Sequence, residues 1–222
     1  MAKLELIGAA QSNFVWTCRL ALAEKGVPYT LTSVMPHTPE VVAIHPFGKI
    51  PVMRHGDVTL AESRAICGYI DREFDGPALI PADTAKAAEV EQWVSIVNTT
   101  IDPLWMRQYL AAYIFPGTPD GAPNRPVIEA ALPKMEKQFP VMDRAVASGY
   151  LAGDAFTLAD MYFTPILYYM RRGPESAAML EANAYLKAYL ERNLARSCVQ
   201  ATVPPPLPGK AGVTISDGAK AA

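Results

Sequence analysis

Two pairs of neighbouring residues, Ile50-Pro51 and Glu62-Ser63, have the types and spacing to hold a peptide-like ligand. A proline at the mouth of a strand removes one ladder donor, so it suits a place where another backbone pairs instead. A serine at a helix start, with open backbone N–H groups behind it, suits a carboxylate. Together the pairs describe a site that grips a main chain and an acid group at once, a combination rarer than either part.

The elements that must position these pairs follow from the flanking residues. From His45 to Tyr69 the chain reads as two short strands turning at Gly56-Asp57, then a helix whose first residues are Glu62 and Ser63. Upstream, Leu4 to Gly8 reads as a strand, Phe14 to Lys25 as a helix stopped by Gly26, and Tyr29 to Val34 as a second strand entered at Pro28. Pro39 to Ile44 supplies one helical turn. This β-α-β, then β-β-α order over residues 1–76 predicts a small mixed sheet with helices packed on it, thioredoxin-like in plan. Residues 77–84 form a proline-marked linker. Beyond it, residues 85–200 show helical patterns only. One runs from Ala85 to Phe115 with an interruption at Pro103, and another from Val127 to Ser148 where Pro133 and Pro140 predict a kink or a split. A further helix opens at Thr157, and two shorter ones lie between Pro174 and Ala195. The fold class is thus α/β plus all-α, with residues 201–222 as a flexible tail.

Phe156-Thr157-Leu158-Ala159-Asp160 carries a capping box, Thr157 as N-cap and Asp160 three positions on, flanked by the staple pair Phe156 and Met161. Its work is folding.

Composition removes several classes of function. The chain has 222 residues, half of them hydrophobic, and a net charge of −2, so no basic excess exists to neutralise nucleic-acid phosphates. No apolar run approaches the roughly 20 residues a membrane helix needs, and the N-terminus lacks a signal-peptide core. Cys18, Cys67 and Cys198 are too scattered for a disulfide scaffold, and the first two sit in apolar helical patterns as packing residues. His37, His45 and His55 lie in loops or turns without ligand spacing, so no metal is expected. A reduced, cytoplasmic protein is the economical reading.

The stretches His45-Pro46-Phe47-Gly48-Lys49-Ile50-Pro51 and Leu60-Ala61-Glu62-Ser63-Arg64-Ala65-Ile66 resemble the N-P-F-G-x-I/V-P and L-x-E-S-R-A-I patterns of the cytosolic glutathione transferases. The Thr157-Leu158-Ala159-Asp160 box resembles that family's second domain, and Pro165, Tyr168 and Tyr169 resemble its phi class. The resemblance spans roughly residues 3–200. It implies a glutathione transferase fold, a cytoplasmic homodimer, and glutathione as co-substrate attacking small hydrophobic electrophiles, without metal, nucleic acid or membrane.

Carried over position by position, the resemblance gives Ser12 the catalytic hydroxyl, through the match at Arg19-Leu20-Ala21-Leu22. Ser12 read alone is a helix cap, and Asn13 is the alternative donor to sulfur. Trp16 and Thr17 stand where serine-type members usually keep an arginine pair. Ile50 would pair with the cysteinyl unit beside a cis Pro51, and Glu62 and Ser63 would take the γ-glutamyl end. Lys49 would meet the glycine carboxylate, with His37 either assisting or standing as an exposed loop residue. Phe14, Trp105, Tyr109 and Tyr113 are candidate walls for the electrophile, or plain core. The same residues fit a peroxidase acting on organic hydroperoxides, a non-catalytic glutathione-binding protein, or an assembly module.

Overall fold

The structure, a computed structural model, describes residues 3–206. These group into two compact units. One takes in the chain up to Ala82 together with the segment from Ala195, and the other runs from Asp83 to Leu194.

The first unit is built on a four-stranded sheet in the order β2-β1-β3-β4, with β1 Leu4–Ile7, β2 Tyr29–Thr32, β3 Val52–His55 and β4 Val58–Ala61. β1 runs parallel to β2, while β1–β3 and β3–β4 are antiparallel. The strands pleat, so Leu4 and Leu6 face one side and Ile7 the other. Ile7 lies opposite Val52 in the ladder, and the two pack with Val41 of α2 (Pro39–Val42).

Helix α1 (Asn13–Glu24) packs on α3 (Ser63–Glu73). α1 stops because Gly26 takes the left-handed conformation, which lets the Val27 and Gly26 N–H groups reach back to the Leu22 and Ala23 carbonyls. The buried Lys25 ammonium then ties this end to the far end of α3. It meets Asp71 Oδ1 at 3.0 Å and donates to the Asp71 and Phe74 carbonyls at 3.0 and 3.1 Å. The Asp71 carboxylate also accepts the Leu79 and Ile80 N–H groups, which anchors the linker.

A helix absent from the sequence reading, α10 (Ser197–Gln200), packs on α1 and belongs to this unit. Thr202 and Pro204 are buried, so the packed chain extends past residue 201, where a tail was expected to begin. The anchor is Trp16: its indole N–H donates to Thr202 Oγ1 at 2.9 Å. The rest of the expected tail, with Leu207-Pro208 of its proline run, lies outside the described residues.

Among its described residues the second unit holds helices and connecting loops, and no strand. α4 (Thr84–Ile96) does not end at Pro103. It widens through π turns at Val97–Ile101 and Pro103–Leu110 before tightening into α5 (Ala111–Ile114). The wider turn accommodates a residue that cannot donate in the usual register.

α6 (Arg125–Ala145) is one helix of 21 residues despite Pro133 and Pro140. Both prolines are exposed and lie seven positions apart, hence on one solvent-facing stripe where water can satisfy the carbonyls they leave unbonded. Of the expected kink or split, the split does not occur.

α7 (Leu158–Met170) is buried along its whole length, and α8 (Pro174–Glu181) and α9 (Ala184–Leu194) follow. Asp160 starts α7 by accepting the Thr157 N–H and hydroxyl, the Leu151 N–H and the Tyr189 hydroxyl. No helix among the described residues is long and apolar enough to cross a membrane.

Candidate functional site

Ser12 is the N-cap of α1 and is half-buried. Its Oγ accepts the Val15 N–H at 3.5 Å, a long cap bond that leaves the hydroxyl proton for another acceptor. Asn13, the alternative donor, is buried as the first residue of the helix.

Gly8 explains why this helix start lies against the loop before β3. Its φ is +147°, and a Cβ added there would stand 2.7 Å from Val15 Cγ2 and 3.0 Å from Ile50 Cβ. The end of β1, the first turn of α1 and Ile50 therefore converge where only glycine fits. The Ile50–Pro51 bond is cis. Val15 and Ile50 thus flank one backbone crossing within the first unit, and Ser12 caps the helix turn that carries Val15.

The γ-glutamyl candidates sit at the other helix start. Glu62 precedes α3 with φ +68°, and His37 has φ +65°; among the described residues these are the non-glycine positions at positive φ. That conformation costs roughly 1–2 kcal/mol per residue and concentrates where function requires it. Ser63 is buried as the first residue of α3. The Glu62 carboxylate is left largely exposed.

His37 and Lys49 are exposed neighbours. The His37 N–H donates to the Gly48 carbonyl at 2.8 Å, and its ring lies so close over Gly48 that a Cβ there would strike it.

His45, read from sequence only as a loop residue, is buried. Its Nδ1 accepts the Phe47 N–H at 3.1 Å and its Nε2 lies 3.1 Å from Glu62 Oε1. The signal in the sequence was the histidine itself, standing where the pattern has asparagine.

Beneath the site, Cys18 on α1 and Cys67 on α3 place their sulfurs 3.8 Å apart, and the Cys18 thiol also donates to the Ser63 carbonyl. Burial, together with Cys67, pushes the Cys18 thiol well up, so it packs rather than reacts. Among the described residues no cluster of three or more His, Cys, Asp or Glu could hold a metal ion.

The electrophile candidates divide between the units. Phe14 lies half-buried on α1 of the first. In the second, Trp105 is fully buried, stacked on Phe139 at 4.1 Å, and donates to Gln138 Oε1. The Tyr109 and Tyr113 hydroxyls both donate to Glu175 Oε2, at 2.9 and 2.5 Å, and Arg125 meets Glu175 Oε1 at 2.8 Å. Burial pushes the Glu175 carboxyl up, but the bonds from Tyr113 and Arg125 outweigh it and hold it at about 2. Both tyrosine hydroxyls are committed to this carboxylate, which the sequence reading did not single out.

Residues 6–78 match the family model described as the glutathione S-transferase N-terminal domain, and residues 105–197 match its C-terminal domain. Glutathione S-transferase 3 of Zea mays is 35% identical, over 93% of this chain and 98% of its own length. This chain belongs to the glutathione S-transferase family.

Glutathione transferase F7 from Populus trichocarpa superposes with a TM-score of 0.81 at 28% identity, over 90% of this chain and 97% of that one. A theta-class glutathione S-transferase from Xanthomonas axonopodis pv. citri, solved with glutathione bound, gives a TM-score of 0.80 at 26% identity, over 94% of this chain and all of that one. The plant relatives are phi-class transferases. Within the transferase, the N-terminal match encloses Ser12, His37, His45, Lys49, Ile50, Pro51, Glu62 and Ser63. The C-terminal match encloses Trp105, Tyr109 and Tyr113.

Proposed function

We propose that this transferase activates the thiol of glutathione with Ser12 and directs the thiolate at small hydrophobic electrophiles. The observation that carries this is the convergence at Gly8, which places the start of α1 against Ile50. A peptide paired to the Ile50 backbone would then present its cysteinyl sulfur near the Ser12 hydroxyl. The proposal needs the thiol, with a free pKa of about 8.5, lowered by about 2 units, or about 2.7 kcal/mol. A hydroxyl donor and the positive end of a 12-residue helix supply interactions of that order. The long bond from Val15 supports Ser12 as the donor, and the burial of Asn13 argues against the alternative.

At the γ-glutamyl end, the exposed Glu62 carboxylate would receive the ligand's ammonium, and Ser63 with the α3 N-terminus its carboxylate. Lys49, with His37 beside it, would meet the glycine carboxylate. Phe14 is the first-unit candidate for the electrophile wall; the burial of Trp105, Tyr109 and Tyr113 supports the alternative reading of those three as core. The homodimer and the cytoplasmic setting enter the proposal as the family's usual state.

The test is the ultraviolet absorbance of bound thiolate against pH, in wild type and Ser12→Ala. The expected result is a thiolate formed well below the free pKa in wild type and lost in the variant. An unshifted thiol in both would leave a binding protein with no activating donor.

A further inference from the structure

We infer that His45 is a positioning residue for the γ-glutamyl end of the ligand. The inference rests on the reading that Glu62 receives the ligand's ammonium. His45 is 3% exposed, and a buried imidazole needs a partner on each ring nitrogen. Both are present. The Phe47 N–H donates to Nδ1, so in the neutral ring the proton sits on Nε2 and is donated to Glu62 Oε1. The two ring nitrogens therefore have different duties: Nδ1 closes the loop at Pro46-Phe47, and Nε2 reaches across to the start of α3.

The reach matters because of what Glu62 is otherwise. Its side chain is 69% exposed, and its own helix gives it no cap hydrogen bond. A glutamate in water samples many rotamers, and ordering it would fall on the ligand's affinity. The bond from His45 fixes Oε1 before the ligand arrives and leaves Oε2 for the ammonium. The left-handed backbone at Glu62 supplies the exit direction of the side chain, and His45 supplies its aim. The contact spans 17 residues of sequence and is brought together by the β3–β4 hairpin.

The experiment measures binding of two peptides by calorimetry, glutathione and the same tripeptide lacking the α-amino group (glutaryl-cysteinyl-glycine). The proteins are wild type, Glu62→Gln, His45→Asn and His45→Gln. Asparagine places an acceptor where Nδ1 stands but has no donor at Nε2, and glutamine places a donor near Nε2. Wild type should prefer glutathione by about tenfold or more. His45→Asn should cut that preference to about two- to threefold while leaving affinity for the deaminated peptide unchanged, and His45→Gln should retain more of it.

A preference in His45→Asn equal to wild type, or an equal loss of affinity for both peptides, overturns the inference and leaves His45 a loop-packing residue. If instead wild type shows no preference, or Glu62→Gln keeps it, the parent reading of Glu62 fails whatever the His45 variants do.

Discussion

Gly8 is where one residue's chemistry governs the site. With φ +147° and no room for a Cβ, it permits the close passage of α1 and Ile50. Gly8→Ala should cost about 1–3 kcal/mol in urea unfolding, and the displaced contacts should raise KM for glutathione. Unchanged unfolding and KM would show that the crossing is looser than these distances. His37 and Glu62 make a related point, since both hold positive φ without being glycine. Neither conformation could be read from sequence, because glutamate and histidine, unlike glycine, mostly adopt negative φ, so their presence does not mark the turn. Glu62 was nevertheless legible as a candidate, through its place before a helix-opening serine. His45 was not: its partner is defined by the hairpin that folds between them.

Among elements, α1 and α3 owe their positions to their ends. The glycine stop and the Lys25–Asp71 tie fix where these helices finish, and so where Ser12 and Ser63 begin. In the second unit, α8 is tied to α5 and the start of α6 through Glu175, with Tyr109, Tyr113 and Arg125 around it. The sign of its pH dependence follows from the lowered pKa. An acid at about 2 when folded and about 4.5 when unfolded contributes stability that is complete above about 4.5 and lost as pH falls towards about 2. The denaturation midpoint should therefore decline over that window. Glu175→Gln should cost roughly 1–3 kcal/mol at neutral pH and flatten the decline. A variant that keeps the wild-type acid slope would assign that slope to other carboxylates.

The α7 start was legible in sequence. Thr157 and Asp160 lie within one turn of each other, so the box depends on local geometry alone. That Asp160 also serves Tyr189 and Leu151 was not legible, since those partners come from other segments.

At the scale of the molecule, the chain crosses from the first unit to the second near residue 82 and returns to the first at Ala195. The return is fastened by the Arg196–Glu24 ion pair at 2.6 Å and by Trp16 on Thr202. Thr202→Val keeps the shape but leaves a buried indole N–H without its acceptor. It should cost about 1–3 kcal/mol and shift the Trp16 fluorescence on unfolding to lower urea. No change in the midpoint would mean that the segment is a passenger. The composition of residues 201–222 suggested a tail because proline and alanine carry no periodicity, yet at its start Thr202 is buried and bonded to Trp16.

By itself, the sequence determined everything that depends on neighbours within about a turn. That includes the hairpin before α3, the glycine stop of α1, the capping box of α7, and the residue types able to hold a peptide with acidic ends. Those signals act through backbone hydrogen bonds and steric limits, which a short window contains in full. Only the tertiary structure decided which distant groups meet: His45 with Glu62, Gly8 with Ile50 and Val15, Tyr113 with Glu175, Trp16 with Thr202. It also decided that Pro133 and Pro140 stay in one helix, because their exposure follows from what the opposite face buries. Such choices rest on burial and loop closure, and these exist only once the whole chain has packed.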